Sequence, residues 1–369
     1  MVEPAFTGAT PARSTEESPH RSPPGTSWRG LVRPAQARTT APAPGADAAA
    51  RAEPVVTAAL DLQADVRRDP APTHDELVAK VRDLYTRHPF PPPQRRHSYR
   101  AHARYVRSVL EGLGVGTAGK RFGDIACGTG LMLADYAGEF PEVELVGYDI
   151  SETSVARANA TLAEEGRANA RAIVADLLHL TERESFDYVV SWGTVHHLAE
   201  PRQGVEVLAR ALAPGGVLRL GVYGHYGNWE RHLQQEAVRT LGIGMGIEER
   251  IELVRRWAVA DTRFAAVQTA PPVDVMDDDW VVDEFLHVWE RPITLQEAVG
   301  WLEEAGLEIL HLTDYYDAEI SLDPGAHLTD PELVARARGL PFAMRCHLVD
   351  LLVRPYWLSL FARKTTGPG

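Results

Sequence analysis

Between about residue 120 and residue 223 the apolar positions alternate between two kinds of run. One kind is short and almost continuously apolar, as in strands buried on both faces. The other is longer and spaced for one face of a helix. The pattern predicts strand 120–126, helix 130–138, strand 144–149, helix 152–165, strand 171–176, strand 186–192, helix 201–212 and strand 216–222. Such alternation implies a parallel sheet covered on both faces, whose ligands lie beyond the carboxyl ends of the strands. Upstream, helical spacing predicts a helix over 75–86 with Thr73 as its N-cap and a second over 99–112, separated by the extended run His88-Pro-Phe-Pro-Pro-Pro93. Downstream the simple alternation stops. Helical stretches are expected over 229–241 and 248–258, followed by Asp277-Asp278-Asp279. Adjacent acids on a loop rarely converge on one ion, so these three read as a solvated acidic loop. A helix over 294–305 carries Thr294 and Glu297 at capping-box spacing and stops at Gly306. A strand over 307–312, a mostly helical stretch over 331–350 and a last strand over 356–363 complete the chain.

Residues 1–70 differ in kind. They are rich in Ala, Pro, Arg, Ser and Thr, and apolar periodicity is poor until Val55. They hold 10 of the 26 prolines, with 8 basic and 8 acidic residues, so the net charge of −13 belongs to the remainder. This reads as a disordered extension, with a short helix over 55–68 closed by Asp69-Pro70. The expected organisation is a tail over 1–70, a helical cap over 71–118, a ligand-binding core over 119–223, a helical insertion over 224–292 shaping a substrate pocket, and the rest of the sheet over 293–369.

The stretch Phe122–Leu133, F-G-D-I-A-C-G-T-G-L-M-L, runs from a strand through a small-residue turn into a helix start. Gly128 and Gly130 let the backbone bend sharply and let a ligand lie against it, facing the free N–H groups of the next helix. Leu133 stands where a dinucleotide-binding turn has its third glycine, so the turn alone is a weak signal. Asp149 sharpens it. A carboxylate at that strand end, about 20 residues after the turn, can accept two hydrogen bonds from a ribose diol. The alternative role for Asp149 is an N-cap for the segment starting at Ser151.

The pieces D-I-A-C-G-T-G, Y-D-I-S, A-D-L, F-D-Y-V-V-S-W-G-T-V-H-H-L and L-A-P-G-G-V-L, in this order over residues 120–223, resemble the class I S-adenosylmethionine-dependent methyltransferases. The resemblance implies a doubly wound α/β fold with a seven-stranded sheet in the order 3-2-1-4-5-7-6, the last strand antiparallel. N-terminal helices and a helical insertion after the fifth strand would be added to it. It implies S-adenosylmethionine as cofactor, held by Asp124, Ala126, Cys127, Gly128, Gly130, Asp149, Ile150, Asp176, Leu177 and Trp192. Asp124 would meet the methionine amino group, and Asp176 with Leu177 the adenine. Ala126 departs from the pattern, standing where the family most often has glycine.

The resemblance leaves the acceptor open. His196, His225 and Tyr223 are candidate proton acceptors, since imidazole titrates near neutral pH and Tyr223 and His225 sit where the fifth strand meets the insertion. Tyr85, Phe90, Tyr99, His197 and Tyr226 are candidates for the substrate pocket. The net charge of −13 argues against a nucleic-acid partner. Ser191-Trp-Gly-Thr194 stands where a base- or glutamine-methylating signature would fall, and Cys127, inside the turn, is not placed as a nucleophile. The expected partner is therefore a small-molecule substrate, methylated at O, N or C, with a protein methyltransferase or a non-methylating cofactor binder as rivals. No apolar run is long enough to cross a bilayer, no signal segment is visible, and two cysteines supply neither a disulfide framework nor metal spacing. A cytoplasmic, bacterial, metal-free protein is expected, with a homodimer among the oligomeric states left open.

Overall fold

The computed structural model describes residues 73–93, 96–260 and 276–366. The expected tail over 1–70 and its helix over 55–68 lie outside the described residues. Helix α1 (His74–Arg87) begins where Thr73 and Glu76 form a capping box. Helix α2 (Arg96–Gly112) leads into the alternating part: β1 (Arg121–Ile125), α3 (Leu131–Glu139), β2 (Glu144–Asp149), α4 (Glu152–Glu164), β3 (Ala170–Val174), β4 (Phe186–Trp192), α5 (Pro201–Ala211) and β5 (Leu212–Tyr223). Three helices follow, α6 (Trp229–Leu241), α7 (Ile247–Ala260) and α8 (Asp278–Phe285). The chain then returns through α9 (Leu295–Glu304), β6 (Leu307–Thr313), β7 (Glu319–Ile320), α10 (Pro331–Arg338), α11 (Phe342–Val353) and β8 (Trp357–Lys364).

The sheet order is β3-β2-β1-β4-β5-β8-β6-β7. β1 to β5 pair in parallel, and β8 runs antiparallel between β5 and β6. The seven long strands keep the expected order. The eighth is a two-residue edge strand, β7, formed where a turn at Asp314–Ala318 folds the chain back on β6. Residues alternate between the two faces, as the pleat requires. Val189, Leu218 and Leu220 pack with Val205, Val299 and Val349 on the face covered by α5, α9 and α11. Tyr188, Val190 and Val217 pack with Leu110, Leu133 and Leu162 on the face covered by α2, α3 and α4. A third cluster joins Leu84 of α1, Val238 of α6, Val254 of α7 and Phe285 of α8 to Tyr223, Tyr356 and Trp357. Tyr223 pairs with Trp357, so the antiparallel turn of β8 brings its first residue to the carboxyl end of the parallel strands.

One feature departs from the expectation, and a second lies outside it. Asp277-Asp278-Asp279 is the start of a helix, not a loop. Asp277 caps α8 by accepting from the Trp280 amide at 2.8 Å, Asp278 pairs with Arg255, and Asp279 pairs with His88. Acids in a first turn complement the positive end of the helix dipole. The second feature is Arg219, fully buried in the middle of β5. A buried guanidinium requires a counter-charge, and Asp317 supplies it, also accepting from His102 Nδ1 at 2.8 Å. The guanidinium lies 4.5 Å from the centre of the Trp192 ring and so supports it from beneath.

Candidate active site

The turn after β1 is tied to β2 by the amides of Ala126 and Cys127, both donating to the Tyr148 carbonyl. Ala126, Gly128 and Gly130 all have positive φ, at 66°, 54° and 78°. Ala126 thus sits where glycine would be unstrained. The two glycines make room for the chain itself. A Cβ on Gly128 would lie 2.2 Å from the Phe90 carbonyl oxygen, and one on Gly130 would lie 2.5 Å from the Ala158 Cβ. The expectation that a ligand lies against both glycines is corrected for Gly130, which serves the packing of α3 on α4, while Gly128 lines the cavity and also lets the 88–93 segment close over the turn. Thr129 secures that closure, its amide donating to the Phe90 carbonyl at 3.0 Å and its hydroxyl to the Pro91 carbonyl at 2.6 Å.

Asp149, at the end of β2, accepts from the Gly128 amide at 2.9 Å and from the Ser151 amide at 2.9 Å. Each carboxylate oxygen retains a lone pair. The capping role weighed for Asp149 is corrected: Ser151 caps α4, its hydroxyl accepting from the Ser154 amide at 3.2 Å, while Asp149 braces the turn and Ser151 itself and keeps acceptors that suit a diol. Asp124 is buried with one carboxylate oxygen unpartnered. Burial, with Asp149 nearby, pushes its carboxyl up to about 7. Asp176 accepts from the Leu178 amide at 3.0 Å and pairs with His74 Nε2 at 2.8 Å, linking α1 to the end of β3.

One cavity joins these groups. Asp124, Ala126, Cys127, Gly128, Asp149, Ile150, Asp176, Leu177 and Trp192 line it, as do Tyr85, Phe90, Tyr99, His197 and Tyr223. Gly130, His196, His225 and Tyr226 are not among its lining residues. His225 and Tyr226 are turned away because the chain after β5 is held between Ile293 and Tyr356, and Tyr226 faces His347 of α11. Sequence reasoning missed Asp283, Tyr315 and Trp357, which complete the wall from α8, the turn after β6 and β8. Apolar periodicity places each in an element but does not say which elements meet.

The histidines differ in protonation pattern. His197 Nδ1 lies 2.9 Å from the Trp289 carbonyl oxygen, which can only accept, so Nδ1 carries the proton and Nε2 is bare. His287 Nδ1 accepts from the Trp289 amide at 3.1 Å and His196 Nδ1 from the Tyr223 amide at 3.4 Å, so both keep their proton on Nε2. Burial lowers the pKa of all three, and the rings of His197 and His287 stack at 3.7 Å. His197 is therefore the one of this trio with both a neutral Nε2 acceptor and a place in the cavity wall. The expected role for His196 is corrected to packing: its ring is fully buried against Tyr223 and Trp357. Beneath the trio, Arg231 pairs with Glu284 and Glu290 while its guanidinium lies 4.2 Å from the Tyr223 ring centre.

Residues 124–218 match the family described as methyltransferase domain. This is a class I S-adenosylmethionine-dependent methyltransferase domain. The domain's donor set fits that cofactor on geometry: the unpartnered Asp124 oxygen suits an ammonium, the spare lone pairs of Asp149 suit a ribose diol, and Ile150 and Leu177 offer apolar faces for an adenine. An uncharacterised protein of Synechococcus is 26% identical over 275 residues, 65% of this chain and 61% of that protein. A ubiquinone biosynthesis O-methyltransferase of Parvibaculum lavamentivorans is 27% identical over 194 residues, 52% of this chain and 60% of that enzyme. The solved structure of PKMT2 from Rickettsia typhi superposes with a TM-score of 0.55 at 17% identity, covering 76% of this chain and 55% of that one, and shares the fold. The chain thus spans less than two thirds of the length of these relatives. No helix among the described residues is long and apolar enough to cross a membrane.

Proposed function

We propose that the protein transfers the methyl group of S-adenosylmethionine to an O, N or C atom of a small molecule. The observation that carries this reading is the single cavity that runs from Asp149 and Asp124 at the strand ends to a wall of Trp192, Tyr223, Tyr315 and Trp357. When bound, the cofactor supplies a methyl group already activated on a sulfonium. The protein's contribution is then to orient the acceptor and exclude water. Asp124 and Asp149 hold the cofactor ends, α1 and the 88–93 segment cover it, and the aromatic wall positions the acceptor. His197 Nε2 accepts the proton that a protonated nucleophile must lose. An acidic chain with an aromatic-walled site suits a small acceptor better than a nucleic acid.

The test uses S-adenosylmethionine labelled in the methyl group, incubated with the protein and bacterial extract and then fractionated. Label in the small-molecule fraction is the expected result. Label in protein would replace the small-molecule acceptor with a peptide. Cofactor binding without label in any fraction, across extracts, would overturn methyl transfer.

A further inference from the structure

At the rim of the cavity, three side chains with metal-ligand chemistry converge from two distant segments. Asp176 follows β3, and its Oδ1 accepts from the Leu178 amide at 3.0 Å, capping the single 3₁₀ turn Leu177–His179. In such a turn the side chains at i and i+3 eclipse. His179 therefore comes round to the side of the Asp176 carboxylate, with Nδ1 3.1 Å from Oδ2. His74 arrives as the first residue of α1, set there by the capping box of Thr73 and Glu76, and places Nε2 2.8 Å from the same Oδ2. The two imidazole rings meet edge-on at 5.4 Å. The three candidate ligand atoms all lie within 4.8 Å of one another. His74 and Asp176 are 102 positions apart, so no ligand spacing is visible in the sequence.

We propose that His74, Asp176 and His179 bind a divalent transition-metal ion of the zinc type, which fastens α1 to the segment after β3. α1 lines one side of the cavity through Leu77, Val78, Val81 and Tyr85, so the ion would secure the cavity's cover. The proposal goes beyond the methyl-transfer reading and does not depend on it. Two imidazoles and a carboxylate suit zinc, and three protein ligands leave a fourth position for water. Zinc bonds to such atoms of about 2.0–2.2 Å set the ligand atoms of a tetrahedral shell about 3.3 Å apart. The observed 2.8 and 3.1 Å are within about half an ångström of that spacing. The His179 side chain is 72% exposed, which gives the ion its way in and the ring room to turn. No arginine or lysine among the described residues pairs with any of the three. This distinguishes them from the other convergence of such groups, His196, His197 and Glu290, where Arg231 takes the carboxylate. Coordination through Oδ2 leaves Oδ1 a lone pair, so the adenine contact implied for Asp176 is kept.

The experiment titrates zinc chloride, and separately magnesium chloride, into the metal-stripped full chain by calorimetry. Amide hydrogen exchange in α1 is followed with and without saturating zinc. The expected result is one zinc ion per chain with a dissociation constant below about 100 μM, magnesium at least about 100-fold weaker, and α1 exchange slowed at least about tenfold. His179→Ala should weaken zinc at least about tenfold and remove the slowing, as should His74→Gln, which keeps a donor toward Asp176. Because His179 is exposed, His179→Ala should unfold at the wild-type temperature in the absence of metal, so that lost zinc is not lost fold. Weaker zinc binding than this, magnesium binding as tight as zinc, or a zinc affinity unchanged in His179→Ala overturns the site. Zinc bound with α1 exchange unchanged overturns the fastening. The wild-type titrations and exchange decide this even if a variant does not fold.

Discussion

The two ends of the cavity are built differently. The cofactor end consists of residues close together in sequence, at the carboxyl ends of β1, β2 and β3, and its polar groups are held mainly by backbone. Asp149 is fixed by two amides, and the turn at Ala126 and Cys127 is fixed by one carbonyl. The proposed acceptor end is assembled from α1, α8, the turn after β6 and the start of β8, and its groups are held by side chains. Tyr85 orients Asp283, Arg231 supports Tyr223, and Arg219 supports Trp192. Backbone-held groups depend on the local fold and tolerate change elsewhere. Side-chain-held groups depend on distant partners, which lets one fold serve many acceptors.

The largest effect that would sharpen this contrast is expected at His197. His197→Gln should lower the methyl-transfer rate by about 100-fold or more while leaving cofactor affinity unchanged, read by single-turnover kinetics and calorimetry. In the wild type the acid limb of the rate profile should lie below the ordinary histidine value of about 6.5, because burial lowers the His197 pKa. Loss of cofactor binding in His197→Gln would merge the two ends. Asp149→Ala should act in the opposite sense, weakening S-adenosylmethionine binding by about 100-fold through the lost diol contacts and the loosened turn. Unchanged affinity would remove Asp149 from the site.

Asp124 makes a smaller, pH-dependent prediction. Its folded pKa of about 7 lies above the ordinary carboxylate value. In the ligand-free protein the stability it contributes is full below the unfolded value and is lost as pH rises through about 7. An ammonium arriving beside it favours the ionised form, so cofactor binding should release a proton. Affinity should rise by about fivefold from pH 6 to pH 7, a dependence that Asp124→Asn abolishes. Calorimetry in buffers of different ionisation enthalpy reads both. The smallest effect is expected at Ala126, whose φ of 66° strains an alanine. Ala126→Gly should raise stability by about 0.5 kcal/mol, the relief of strain outweighing the added flexibility of the unfolded chain, as read by denaturant unfolding.

The alternation of strands and helices, the order of the long strands and the cofactor turn were all legible in the sequence. The alternation and the turn depend on apolar period and on glycines and acids at short spacing, both of which are local properties, whereas the strand order came only from the family resemblance those motifs carry. Local logic also misled where the missing fact was a neighbour. The acids at 277–279 read as a loop because nothing nearby in sequence shows Arg255 and His88, which pair with them. His196 and His197 are adjacent and of one type, and sequence does not rank them. Only the fold turns one onto the Trp289 carbonyl with its Nε2 bare and packs the other beneath Tyr223. Asp283 and Trp357 are 74 positions apart in the chain and line one wall because β8 inserts antiparallel beside β5 while α8 folds over its end. The sequence by itself therefore determined the alternation of elements and the turn, which are set by short-range pattern and backbone geometry, and through its family resemblance the sheet order and the cofactor. The tertiary structure alone decided the acceptor end, because the burial and pairing that give those side chains their character come from distant segments.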